Sequence, residues 1–403
     1  MTDTLAVWLG ATRAGDLIRD RRRLTFHHRP GTARLTVAPE GEEPAWSSAF
    51  THTWFEGLLP EEERRSAAEV EHDVDRGDTF GLLAAIGWEC AGAVSVLPEG
   101  RMPASGWYHT LTDDEVWARL DALPRPVAEI DRQVRLSLGG TQDKLLLARL
   151  DGRWHLPIDG AISTHILKPE PVRYPGLAVA EAWALRAAAA VTSTAKAELL
   201  AAPTHRPTLV VTRYDREVRG GAIARTHQED LCQVLGLAPA AKYPRGQGPR
   251  DASLRRLADR LVARAADAPS ELIRLLEQIV VTVALANTEA HAKNLSVVHS
   301  GPNTVALAPL YDVAPTLFFL PTQRQAALPV GHKWRIDEIT RRHLEEEARS
   351  WGVPEPLARQ TISSALERLE AGMREADAEF AALPDGMRDV VRLQFERLVA
   401  SEL

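Results

Sequence analysis

The residues most plainly equipped for chemistry are Thr288-Glu289-Ala290-His291-Ala292-Lys293-Asn294 and, beyond a short hairpin, Tyr311-Asp312. A carboxylate, an amide five positions on and a later carboxylate form the layout that phosphoryl transfer uses. That reaction asks little covalent help of a protein. It needs phosphates held and neutralised, metal ligands, and a carboxylate near the attacking hydroxyl. Strands expected at 295–298 and 306–310 put Asn294 and Asp312 at adjacent hairpin ends. Their hard oxygens suit Mg²⁺, which keeps several waters. Lys293 is placed to neutralise the transferred group, and His291 reads as a loop brace rather than a metal ligand or base. One residue departs from the pattern: position 289 is glutamate where the layout calls for aspartate, which leaves the rate in question.

Other segments offer the remaining parts. In Ser137-Leu138-Gly139-Gly140-Thr141-Gln142-Asp143-Lys144, two glycines let backbone N–H groups approach phosphate oxygens, and Ser137 and Thr141 add hydroxyls. An ordinary turn reads the same way, and the Walker A spacing is absent. Lys168 closes the apolar run Thr164-His165-Ile166-Leu167, from which a lysine can reach α- and β-phosphates; a solvated strand-edge lysine is the plain alternative. Thr208-Leu209-Val210-Val211-Thr212-Arg213-Tyr214-Asp215 is a buried strand breaking into a polar segment, a form that can offer backbone groups to adenine and that most strand ends also share. Glu229 and Asp230 read as a helix cap.

These parts must be carried by a scaffold of 403 residues, long enough for two or three subdomains. A hydrophobic share of 45%, a charged share of 26% and a net charge of −7 are ordinary for a globular chain and exclude a generally nucleic-acid-binding surface. Cys90 and Cys232 read as core residues, too few for a disulfide framework. The start lacks a basic region before an apolar run, and Ile279–Ala286 is far short of a bilayer span, so a cytoplasmic protein without membrane contact is expected. Strands are expected at 5–9, 25–26, 35–37 and 91–96, and helices at 61–76 and 80–86. The Pro98–Pro103 segment marks a first boundary. The regions so delimited are 1–104, a mixed α/β region over 105–218 with an alanine-rich helix from 178 to 191, and a mainly helical region over 219–403. In the last, helices are expected at 254–265, 270–286, 343–351 and 356–370. Arg21-Arg22-Arg23 reads as a solvated turn. Arg341, Arg342 and His343 sit beside Glu345-Glu346-Glu347, which argues against a DNA-binding patch.

Taken in order, the segments at 137–144 and 164–168, with His227-Gln228-Glu229-Asp230-Leu231-Cys232-Gln233, Lys242-Tyr243, His291–Asn294 and Tyr311-Asp312, resemble the HipA family of bacterial serine/threonine kinase toxins. Trp54-Phe55-Glu56-Gly57-Leu58-Leu59-Pro60, Gly87 and Gly92-Ala93-Val94 look like that family's N-terminal domain. The resemblance implies an α+β, two-lobed fold of the protein/lipid-kinase type, with a small mixed N-terminal subdomain and a mainly helical C-terminal lobe. It implies ATP and Mg²⁺ as cofactors. By position, Ser137 matches an autophosphorylated serine, and Gly139, Gly140, Thr141, Gln142 and Lys168 fall where phosphates are met. Thr212 and Tyr214 match adenine-facing positions, Asn294 and Asp312 the metal ligands, and Glu289 the catalytic aspartate. The implied partners are a HipB-like helix-turn-helix antitoxin and a protein substrate such as an aminoacyl-tRNA synthetase, with DNA met only through the antitoxin. After Lys242-Tyr243 the chain runs Pro244-Arg245-Gly246-Gln247-Gly248, only partly like the family's glycine-rich stretch. Two alternatives remain open: a pseudokinase serving as a co-repressor platform, and a small-molecule or lipid kinase sharing the fold.

Overall fold

The computed structural model describes residues 2–21, 23–103, 106–123, 142–220, 222–246, 248, 251–301 and 303–400. Contacts divide the chain into two compact units. One takes residues 1–169, 211–239 and 301–303, and the other residues 170–210, 240–300 and 304–403.

The first unit opens with the antiparallel strands Thr2–Leu9 and Thr12–Asp20, joined through Gly10 at φ 61°. Arg23–His28 pairs on one side and Val94–Pro98 on the other. Thr12–Asp20 has no expected strand, because its charged residues and a register shift opposite Val7 and Trp8 break the alternation, and buried Ala14 and Leu17 stand three positions apart. The helices Ser48–Glu56 and Thr79–Ile86 cover the sheet, each started by a side chain: Ser47 accepts from Phe50 N, and Asp78 from Gly81 N. Their core is aromatic, with Phe26 and Trp46 ring centroids 4.6 Å apart and Trp46 and Phe50 4.8 Å.

The strand expected at 35–37 is irregular backbone, and its polar groups are satisfied elsewhere. Val37 N–H donates to Glu229 (3.0 Å), Ala38 N–H donates to Thr36 Oγ1 (3.0 Å), and the Leu35 carbonyl meets the His227 ring (2.7 Å). Glu229 therefore anchors the N-terminal segment and also accepts from Trp54 Nε1 (3.0 Å). Asp230 is the cap, in a capping box with Gln233. The unit continues with strands Trp107–Thr110, Arg153–Ile158, Leu145–Leu150 and His165–Pro169, neighbours in that order.

The second unit is mainly helical. Ala268–Ala284 is its centre, started by Asp267 accepting from Ser270 N (3.3 Å) and by a proline in its first turn. Leu177–Ala188, Leu254–Arg264, Arg341–Ser350, Glu355–Glu379 and Met387–Ala400 complete the helical frame. Glu355–Glu379 runs past the expected 370 because its small-residue stripe continues through Gly372 and Ala376. At Gly372 a Cβ would lie 2.3 Å from the Ala187 carbonyl, so only glycine admits the approach to Leu177–Ala188. The strands Ser296–Gly301 and Thr304–Leu307 form the hairpin expected near the second metal-ligand candidate. Among the described residues no helix is long and apolar enough to cross a membrane.

Candidate active site

The central helix of the second unit stops at Ala284, and Ala286 takes φ 56°. Glycine usually ends a helix in this way. Here the turn is held because the Ala286 carbonyl accepts from Leu317 N (3.1 Å). The chain then enters Asn287–Asn294, a loop pinned at nearly every step. Thr316 Oγ1 accepts from Thr288 N (2.6 Å) and meets Thr288 Oγ1 (2.9 Å), while donating to Asn287 Oδ1 (3.3 Å). Glu289 N donates to the same Asn287 oxygen (3.1 Å). The Glu289 carbonyl accepts from His291 N (2.7 Å) and from Asn294 Nδ2 (3.0 Å).

Lys293 and Asn294 lie in a single 3₁₀ turn, Ala292–Asn294. Tyr311 ties that turn to the segment that follows the hairpin. Its hydroxyl donates to the Lys293 carbonyl (2.7 Å) and meets Ser296 Oγ (2.6 Å). The next residue, Asp312, sits at φ 58°, a conformation costly for a non-glycine residue and concentrated at functional sites. Glu289, Lys293 and Asn294 therefore belong to one hydrogen-bonded loop, and Asp312 follows the tyrosine that ties into it. His291 braces this loop, as expected, by its N–H and by an edge-on stack against Tyr243 (5.1 Å).

Two residues of this cluster carried no chemical reading in the sequence. Tyr243 Oη donates to Glu289 Oε2, and Gln323 Nε2 donates to Glu289 Oε1. Tyr243 was visible only as half of the Lys242-Tyr243 pair, and nothing local marks Gln323.

The nucleotide candidates fall in the first unit. Lys168 is a buried residue near the end of His165–Pro169, not a solvated edge lysine. Thr212 ends a strand and its hydroxyl meets His165 Nε2 (3.3 Å); Tyr214 donates to Gln228 Oε1. Gln142 is half-buried, and Asp143 beside it pairs with Arg64 (3.0 Å). Ser137, Gly139, Gly140 and Thr141 lie outside the described residues.

Arg213 and Asp215 alternate with Thr212 and Tyr214 and enter a buried ion cluster that the sequence did not disclose. Glu89 Oε1 accepts from Arg213 (2.9 Å), Arg216 (2.8 Å) and Ser163 Oγ (3.2 Å), and Asp215 pairs with Arg213 (2.9 Å). Arg225 donates to the Val94 carbonyl and to Ser95 Oγ (2.8 Å). Burial opposes charge on Asp215, but Arg213 and Arg216 outweigh it and hold its carboxyl well below the usual range. Arg225 is drawn down by burial and by Arg216. Cys90 beside the cluster is buried with its thiol pushed up to about 12, as befits a core residue. Arg341 is likewise buried and meets Ser363 and the Arg359 carbonyl, and Arg342 pairs with Glu346 (2.8 Å).

Comparison with known proteins gives the family of the chain. The HipA N-terminal domain model matches residues 5–97, and the HipA-like C-terminal domain model matches residues 136–373. The putative kinase Y4mE of Sinorhizobium fredii is 34% identical over 339 residues, 82% of this chain and 79% of its own length. The serine/threonine-protein kinase toxin HipA of Shewanella oneidensis is 28% identical over 335 residues, 80% of this chain and 75% of its own. The solved structure of a Shewanella oneidensis HipA, in complex with HipB and operator DNA, has the same fold. It superposes with a TM-score of 0.83 at 24% identity, covering 98% of this chain and 96% of that one. With a C-terminal model spanning more than half of its length and a relative at 34% identity, this chain belongs to the HipA family.

Proposed function

We propose that the protein is an ATP- and Mg²⁺-dependent serine/threonine protein kinase, the toxin of a toxin–antitoxin pair. The observation that carries this reading is the pinned loop of Glu289, Lys293 and Asn294, with Asp312 next to the tyrosine that ties into it, in a chain of this family. In the transfer, the acceptor hydroxyl oxygen bonds to the γ-phosphorus, its proton passes to the Glu289 carboxylate, and ADP leaves. Lys293 lies beside the transferred group and Lys168 neutralises the α- and β-phosphates. Gly139, Gly140, Thr141 and Gln142 cradle the phosphates, and Thr212 and Tyr214 face adenine. The residues present fit Mg²⁺. Asn294 Nδ2 is committed to the Glu289 carbonyl, which leaves the amide oxygen as the donor, and Asp312 adds a carboxylate. When bound, Mg²⁺ neutralises charge on the β- and γ-oxygens.

Ser137 is the autophosphorylation site in this reading. A phosphate there adds about two negative charges to a loop that holds other phosphates, and like-charge repulsion expels the loop. A HipB-like antitoxin is the partner, DNA being met through it; the Shewanella oneidensis relative solved with HipB and operator DNA supports this. The protein substrate, of which an aminoacyl-tRNA synthetase is one candidate, is approached through the same site.

A second reading, a pseudokinase acting as a co-repressor platform, is favoured by one observation, the glutamate at 289. Intact-mass spectrometry after incubation with ATP and Mg²⁺ separates the two. The expected result is one added phosphate on the parent protein and none on Lys168→Ala or Ser137→Ala. No phosphate on the parent but one on Glu289→Asp sinks the active reading in favour of the silenced one.

A further inference from the structure

A glutamate in place of aspartate reaches about one methylene further, on the order of 1 Å, and a misplacement of that size can cost about 100-fold in rate. The main chain of Glu289 is fixed on both sides by Asn287, His291 and Asn294, so the loop gives little room to absorb the extra length. What remains adjustable is the side chain, and both its oxygens are held. Tyr243 donates to Oε2 and Gln323 to Oε1.

Tyr243 is itself set by its surroundings. The Lys242 carbonyl accepts from Ala292 N (3.1 Å), which fixes the neighbouring backbone to the catalytic loop. The Tyr243 ring then stacks edge-on against His291 at 5.1 Å, with Lys242 Nζ 5.7 Å from its centroid. The Tyr243 side chain stays 40% exposed, so burial alone does not account for where its hydroxyl points. Its hydroxyl, aimed at the carboxylate, accounts for the placement better. Gln323 comes from an exposed turn and offers a neutral amide, which orients a carboxylate without adding charge.

We infer that Tyr243 and Gln323 are positioning residues, a two-point clamp that places the longer Glu289 carboxylate where the reaction needs it. The inference rests on the kinase reading. It makes Glu289 and its two holders one device, so the holders matter only while residue 289 is glutamate. An aspartate, one methylene shorter, cannot take both bonds from the same backbone.

The test is a set of variants, Tyr243→Phe and Gln323→Met, each made in the parent and in Glu289→Asp, with steady-state kinetics of autophosphorylation or peptide phosphorylation. In the parent, each substitution is expected to lower kcat by about 10-fold at unchanged KM for ATP, the loss of one hydrogen bond to a charged group. In Glu289→Asp, both substitutions are expected to be nearly silent. An unchanged kcat in the parent, or an equal loss in both backgrounds, overturns the clamp while the kinase reading stands.

Absence of turnover in every variant, Glu289→Asp included, overturns the kinase reading instead. The clamp is then read without activity, from the Tyr243 ring resonances in NMR of ring-labelled protein. Glu289→Gln is expected to move those resonances, since the phenol then loses its carboxylate acceptor. Unmoved resonances show that no clamp exists.

Discussion

Glu89 and Glu289 are the same side chain in opposite settings. Glu89 is 0% exposed and gathers Arg213, Arg216 and Ser163 on one oxygen. Burial raises its carboxyl, but Arg213, then Arg216 and Arg225, outweigh burial and leave it below its ordinary value. Glu289 is only half-buried and is held by a phenol and an amide, both neutral. A carboxylate locked among guanidinium groups is a poor proton acceptor and a structural anion. One oriented by neutral donors is, in the kinase reading, the group that takes the acceptor hydroxyl's proton. The difference sets a charge used for architecture against one proposed for chemistry.

The largest effects should fall on opposite observables. Glu89→Gln keeps the shape but leaves Arg213 and Arg216 beside a neutral amide. Breaking a buried pair in this way costs about 3–5 kcal/mol, read as a lower denaturation midpoint. Glu289→Gln should move that midpoint by less than about 0.5 kcal/mol while removing about 10²- to 10⁴-fold of kcat. A stability loss at 289 as large as that at 89 would erase the contrast.

Acid sharpens it next. Glu89 and Asp215 both lie below their ordinary values in the folded protein. Their contribution to stability is therefore complete above the unfolded carboxyl values, about 4.3 and 3.9. It is lost as pH falls below them through the folded values. Denaturation midpoints between pH 7 and pH 3 should fall for the parent and fall less for Glu89→Gln. Equal slopes would mean that the cluster does not govern acid sensitivity.

A smaller effect belongs to the loop alone. Thr316 serves Thr288 N, Thr288 Oγ1 and Asn287 Oδ1 with one hydroxyl. Thr316→Val keeps the shape and leaves a buried N–H without its acceptor, at about 1–3 kcal/mol. Because the same hydroxyl shapes the turn into Glu289, kcat should fall with the midpoint. A midpoint loss with kcat intact would show that the loop is less tightly coupled to Thr316 than its hydrogen bonds imply.

What the sequence discloses follows the same division. Glu289, Asn294 and Asp312 stand out as candidates in the sequence because phosphoryl transfer fixes residue types at short spacings, and the hairpin between them is a local pattern. The long helices are legible through their apolar stripes. Thr12–Asp20 is not, since Arg13, Asp16, Arg19 and Asp20 hide the alternation of a half-exposed strand. Leu35–Val37 looks like a strand but serves as an anchor, a use settled by Glu229 and His227 nearly two hundred residues away. The ion cluster is illegible for the same reason: Glu89 meets its arginines across a separation of 124 residues or more, and no local rule pairs them. Tyr243 and Gln323 reach Glu289 from 46 and 34 residues away. Local chemistry can be read from spacing, whereas what holds it in place is tertiary.

The smallest predicted effect tests whether tertiary holding extends to the metal-ligand candidates. Tyr311 Oη donates to the Lys293 carbonyl at 2.7 Å and meets Ser296 Oγ at 2.6 Å, and Asp312 follows it at φ 58°. Tyr311→Phe removes those bonds and leaves the ring, at about 0.5–1.5 kcal/mol of stability. If the phenol only filled space, activity would be indifferent to it. If it sets the angle at which Asp312 leaves the backbone, the Mg²⁺ concentration for half-maximal activity should rise several-fold while maximal activity at saturating Mg²⁺ is recovered. Tyr108→Phe in the other unit loses its bond to the Ile162 carbonyl (3.0 Å) and should leave the Mg²⁺ requirement unchanged. The same requirement for both variants would leave Asp312 positioned by its own backbone conformation, with Tyr311 contributing stability alone.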